Sequence, residues 1–145
     1  MTDGPFPKPA HPALKFFQKL PHAAALGVVA EEMADGHAAL SMPWREDLVG
    51  DPETGVIHGG AVSALMDTCC GMAAMSHPEN LGGTATIGLR IDYMRAATPG
   101  QTIRARAECY HITRTVAFVR ATALDDDDAH PVATATGTFT VEGSS

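Results

Sequence analysis

The chain has 145 residues, 45% of them apolar, and a formal charge of −7, the size and make-up of one globular domain. Ten Lys and Arg against 17 Asp and Glu argue against nucleic acid or an anionic membrane as partner. No apolar run reaches the ~18 residues of a membrane span.

The first twenty residues hold four prolines and no continuous apolar core, unlike a signal peptide. Residues 1–24 read as a loose arm followed by a short helix over 13–20 that Pro21 ends. The domain proper spans 25–143. It begins with a hairpin, LGVVAEEM (26–33) and HAALSMPW (37–44), joined by a turn at Ala34-Asp35-Gly36. The polar stretch 45–55 reads as a loop. HGGAVSALMDTCCGMAAMS (58–76) has no proline and carries apolar residues at helical spacing, so a helix over roughly 60–75 is predicted. Period-two alternation then marks strands at 85–94, 101–110, 115–124 and 131–141. A single largely apolar helix beside a long antiparallel sheet implies an α+β fold in which the sheet curls round the helix. The many alanines of these strands suggest a thin core that a partner chain helps to cover.

The three cysteines are Cys69, Cys70 and Cys109. Two are adjacent and the count is odd, which fits no disulfide framework and points to a reducing compartment, the cytoplasm. The seven histidines are scattered without metal-ligand spacing, so no metal and no cofactor is expected.

Chemistry concentrates at His58-Gly59-Gly60 and at Asp67. Two glycines at a helix start leave backbone N–H groups uncovered, able to hold an oxygen that gains negative charge. They equally serve to let the chain turn into the helix. Asp67 sits among small residues on a helix that is otherwise almost wholly apolar, beside a stripe of Ser63, Cys70, Gly71 and Ala74. A carboxylate there is used, paired across an interface, or turned to solvent. Asp67 lies eight residues beyond Gly59, about 12 Å along the helix. One site can use both only if a two-fold dimer sets Asp67 of one subunit opposite Gly59 of the other.

GVIHGGAVSALMDTCCG (55–71), TIGLRIDYMRAATPGQTIRARAECY (86–110), RTVAFV (114–119) and VATATGTF (132–139) resemble the hotdog-fold acyl-CoA thioesterases of the phenylacetate-degradation (PaaI-like) type. The resemblance implies a long helix wrapped by a curved antiparallel sheet. It also implies hydrolysis of an aromatic or medium-chain acyl-CoA by a homodimer or a dimer of dimers. By position in the motif, Asp67 becomes the general base or nucleophile, Gly59 the oxyanion donor and His58 a supporting residue. Gly60 and Ser63 line the substrate, Thr86 holds the water or the carboxylate, and Arg95 and Arg114 are the candidates for the phosphates of CoA. Many relatives carry an Asn six residues before the motif histidine, where this chain has Pro52 beside Asp51. Two other readings keep the same fold: a hydratase or dehydratase built on His58, and a non-catalytic acyl-CoA-binding protein.

Overall fold

The computed structural model describes residues 11–142, so most of the expected arm lies outside the described residues. The chain enters through α1 (Pro12–Phe17) and α2 (Pro21–Leu26). The first helix stops at Phe17, three residues short of the expected end, and Pro21 opens a second helix. At the first helical position its missing N–H costs nothing, and Gly27 closes the turn in the left-handed conformation.

The hairpin follows as β1 (Val29–Ala34) and β2 (His37–Met42). Both residues of its two-residue turn, Asp35 and Gly36, have positive φ, as a turn matched to strand twist requires. The stretch expected to be a loop contains a 3-10 turn (Glu46–Leu48) and a small ribbon, β3 (Val49–Asp51) with β4 (Val56–Ile57). Asp51 builds its turn: its carboxylate accepts from the Glu53 N–H and the Thr54 hydroxyl, each at 3.0 Å.

Helix α3 runs from Gly59 to Ser76, and β5 (Thr86–Tyr93), β6 (Ile103–Ile112), β7 (Val116–Leu124) and β8 (Ala133–Thr140) follow. Six strands form one antiparallel sheet in the order β1-β2-β6-β7-β8-β5. Bulges in β1, β5 and β6 bend these strands. The helix lies chiefly on β2, β6 and β7, the α+β hotdog arrangement expected from the sequence.

Ten of the eighteen residues of α3 are buried, so the helix lacks the single apolar stripe of a surface helix. Val62, Leu65, Met66, Cys69 and Met72 face the core as anticipated. The strand alanines do something else than expected. Ala105, Ala107, Ala117, Ala121, Ala123, Ala133 and Ala135 are all buried within the one chain. They let helix and sheet approach until the Cys69 thiol reaches the carbonyls of Ala38 and Ala105, 3.5 and 3.4 Å away. The partly uncovered element is β5, one edge of the sheet, where Ile87, Tyr93 and Met94 stand 50–61% exposed.

The far end of β5 is tied down by charge. The Arg95 guanidinium donates to both oxygens of Asp125, at 2.6 and 2.8 Å, and the Asp125 side chain has no solvent exposure. Arg95 and the N–H groups of Thr98 and Asp127 hold this carboxyl well below the usual carboxylate range, against the opposing effect of burial. A depressed carboxylate stabilises the fold above its unfolded pKa, near pH ~4, and loses that contribution as pH falls toward the folded value. Asp125→Asn is therefore expected to lower the melting temperature by roughly 5–10 °C at neutral pH. The gap to the parent should narrow below about pH 4. Calorimetry at pH 7 and pH 3 checks this, and an equal gap at both would contradict it.

Candidate active site at the two ends of strand β5

His58 is the N-cap of α3, and its Nδ1 accepts the Gly60 N–H at 2.7 Å. A Cβ on Gly60 would lie 2.8 Å from that nitrogen, so the second glycine makes room for the cap. Gly59 has no such constraint. The nearest atoms to a Cβ there belong to the Tyr93 ring, at 3.7 Å. Its N–H, unlike that of Gly60, is bonded to none of the described residues. At the positive end of an eighteen-residue helix, that group is a ready donor to a developing oxyanion.

Tyr93 was not foreseen as a site residue. Its hydroxyl donates to the Gly59 carbonyl at 2.7 Å. The Ser63 hydroxyl reaches the same carbonyl at 3.1 Å and also bonds the Tyr93 hydroxyl. The C-terminal end of β5 is thereby fastened to the first turn of α3. Beside it opens a cleft of about 290 Å³ between Gly59, Val62, Met94 and Val132. Gly50 was also missed. A Cβ on it would stand 2.8 Å from the His58 Cα, so β3 supports the cap through its backbone. A lone glycine in a turn-rich stretch gave no sign of that contact.

The other end of β5 meets Asp67. The Thr86 hydroxyl donates to Asp67 Oδ1 at 2.7 Å, as the resemblance implied. The carboxylate is half-buried and opens into a chamber of about 140 Å³ between α1, α3 and the start of β5. The small-residue stripe is partly displaced from its expected place. Cys70 and Ala74 are fully buried in the core, whereas Gly71 of that stripe does line the chamber, joined there by Thr68 and Met75. Burial first, and the charge of Asp67 second, push the Cys70 thiol up to about 12. Cys70 is therefore a protonated packing residue and no nucleophile.

The two arginines part company. Arg95 spends its guanidinium on Asp125 and on the carbonyls of His130 and Ala96, a clamp whose charge is already neutralised. Arg114 is exposed in the β6–β7 turn with no carboxylate partner among the described residues. That turn lies at the Asp67 end of β5, since Val141 joins Thr115 and Thr140 joins Ala85 through the backbone. Asp51 is spent on its own turn. The described residues hold no cluster of three or more His, Cys, Asp or Glu side chains placed to bind a metal ion.

The chain thus carries a donor at one end of β5 and a carboxylate at the other. Sequence comparison matches residues 54–132 to the thioesterase superfamily. A Halobacterium salinarum protein named as an esterase is 36% identical over 118 residues, 77% of each chain. A solved Pseudomonas aeruginosa protein superposes with a TM-score of 0.80 at 37% identity, covering 90% of this chain and 96% of that one. A single-substitution variant of the phenylacetic acid degradation protein PaaI from Thermus thermophilus superposes at 0.75, with 28% identity, covering 85% of this chain and all of that one.

The glycines of this site are expected to respond in opposite directions. Gly50→Ala forces β3 or the His58 backbone to move and should cost about 1–3 kcal/mol. Gly71→Ala brings its Cβ only to 3.9 Å from Phe139 and Thr84. In mid-helix it should be neutral or stabilising by up to ~1 kcal/mol. Urea unfolding of both variants tests the contrast.

Proposed function

The chain belongs to the thioesterase superfamily, and on that premise we propose that it hydrolyses acyl-CoA thioesters at two sites shared across a homodimer. The observation that carries this reading is the division of the site between the two ends of one open edge strand. Antiparallel pairing of two β5 edges about a two-fold axis brings the Thr86 end of each strand beside the Tyr93 end of its partner. Asp67 of one subunit then faces Gly59 of the other. The same pairing covers an edge that is otherwise an aggregation hazard.

In the proposed reaction the thioester carbonyl lies against the free Gly59 N–H. As the carbonyl carbon becomes tetrahedral, its oxygen takes the charge and the N–H stabilises it. Asp67, oriented by the Thr86 hydroxyl, either takes a proton from the attacking water or attacks the carbonyl itself. In both routes the CoA thiolate leaves and is protonated. A single turnover in ¹⁸O-labelled water separates them, because label enters the Asp67 carboxylate only by the covalent route. His58 acts as the helix cap, with Nδ1 held by the Gly60 N–H, which favours hydrolysis at Asp67 over a hydratase built on the histidine.

Arg114 is the proposed phosphate contact, with Arg95 as the clamp beside the donor cleft. The unpaired thiols and the net negative charge support a cytoplasmic enzyme that binds neither nucleic acid nor membrane. Among the described residues no helix is long and apolar enough to cross one.

Thiol release across a panel of acyl-CoAs tests the activity. Asp67→Asn should lower kcat by roughly 10²–10⁴ on the best substrate while the protein stays folded. Light scattering should give a dimer or a dimer of dimers. Mixing Asp67→Asn subunits with subunits disabled at Gly59 should restore part of the activity, because one of the two shared sites then has both groups. Full turnover by Asp67→Asn, or inactive mixed dimers after verified exchange, would overturn the assignment. Arg114→Ala should raise KM several-fold and leave kcat nearly unchanged, since phosphate contacts are made alike in ground and transition states. An unchanged KM in steady-state kinetics would place the nucleotide elsewhere.

A further inference from the structure

Two spaces lie side by side near Asp67. The chamber beside the carboxylate, about 140 Å³, is comparable in volume to the ~150 Å³ cavity that holds one benzene ring, and its wall is divided between the apolar Leu20, Met72 and Phe139 and the polar Thr68, Thr84 and Thr86. Beyond it, between α1 and the turn after α3, lies a groove of about 540 Å³ walled by Pro12, Ala13, Pro78 and Leu81. That is within the ~300–1,000 Å³ that takes a whole drug-sized molecule. Phe16 and Met75 line both spaces, so these two side chains form the partition between them.

The partition is lightly held. Ala13 and Phe17 anchor α1 in the core, whereas Phe16 is 47% exposed and projects from the same short helix. Met75 is an unbranched side chain that changes shape at little cost. The chamber contains no ionisable side chain besides Asp67. An acyl group whose carbonyl is attacked at Asp67 has this chamber, with Leu20, Met72 and Phe139 on its apolar side, as its immediate neighbour.

We infer that Phe16 and Met75 set the upper length of the acyl group: with the partition in place the chamber admits a single ring or a short chain, and the groove beyond it is excluded. The inference rests on the proposed thioester hydrolysis and adds the residues that choose its substrate. Phe16 is in this reading a specificity-determining residue, contributed by a helix outside the sheet that carries the site. A hydrophobic pocket discriminates by roughly 10–200-fold per methylene gained or lost, so moving the partition should be visible in the length profile.

The experiment measures kcat/KM of the full-length protein with benzoyl-, hexanoyl-, dodecanoyl- and hexadecanoyl-CoA. It compares the parent, Phe16→Ala, Met75→Ala and Phe16→Trp, with Asp67→Asn as the chemical control. The expected result is a parent that prefers the benzoyl and hexanoyl substrates. The ratio of dodecanoyl to hexanoyl turnover should rise at least roughly tenfold in Phe16→Ala and in Met75→Ala, and should not rise in Phe16→Trp. A parent with Asp67-dependent activity but the same length profile in all variants would overturn the partition and leave the hydrolysis standing. A parent that already prefers dodecanoyl-CoA would overturn it too. Absence of Asp67-dependent hydrolysis of every thioester would overturn both readings together.

Discussion

The rest of the structure depends on the burial of one helix. Helix α3 is apolar or small at nearly every position, and ten of its residues are buried. No single flat face of a sheet can cover such a helix, so the strands must bend round it. The alanines of β6, β7 and β8 make that possible by removing side-chain volume where the helix lies. Close approach has a consequence for the site. The helix is held rigidly by packing, so the groups at its exposed first turn and at the half-buried Asp67 are presented on a fixed scaffold.

The start of that helix is a small device with three parts. His58 caps through Nδ1, Gly60 makes space for the ring, and Gly59 keeps its N–H unbonded among the described residues. Tyr93 and Ser63 hold the Gly59 carbonyl from the other side. The His58 cap satisfies one orphan N–H and leaves its neighbour unbonded among the described residues, and in the proposed hydrolysis that neighbour is the oxyanion donor.

Strand β5 connects the two halves of the site and is also an open edge. Its start bonds Asp67 through Thr86, and its end bonds Gly59 through Tyr93. A strand that carries complementary groups at opposite ends is suited to pairing with its own copy in the antiparallel sense. The Arg95–Asp125 pair fixes the segment just beyond β5 against the β7–β8 turn. Arg95 therefore shapes this edge rather than waiting for an anion.

Local patterns determined much of this protein by themselves. The 3.6-residue period of 58–76 and the two-residue period of the later strands depend only on which side chains face the core. Helix, strands, hairpin and curled α+β arrangement were therefore legible, and the same patterns single out Asp67 and the His58-Gly59-Gly60 start as the candidate site. Tertiary structure decided what depends on distant chain segments meeting. Gly50 reads as a loop glycine until β3 is laid against His58. Arg95 reads as a free cation until the β7–β8 turn brings Asp125 to it from thirty residues away. Pro21 reads as a stop, although the first helix has already ended at Phe17 and the proline opens the next. Cys70 and Ala74 looked like the lining of a pocket, and the helix's rotation against the sheet set them in the core instead. Periodicity gives the face of an element to within a residue or so, and one residue on a helix is a turn of about 100°. That angle separates a pocket wall from the hydrophobic core, and only the packing of α1 and β5 on α3 resolves it.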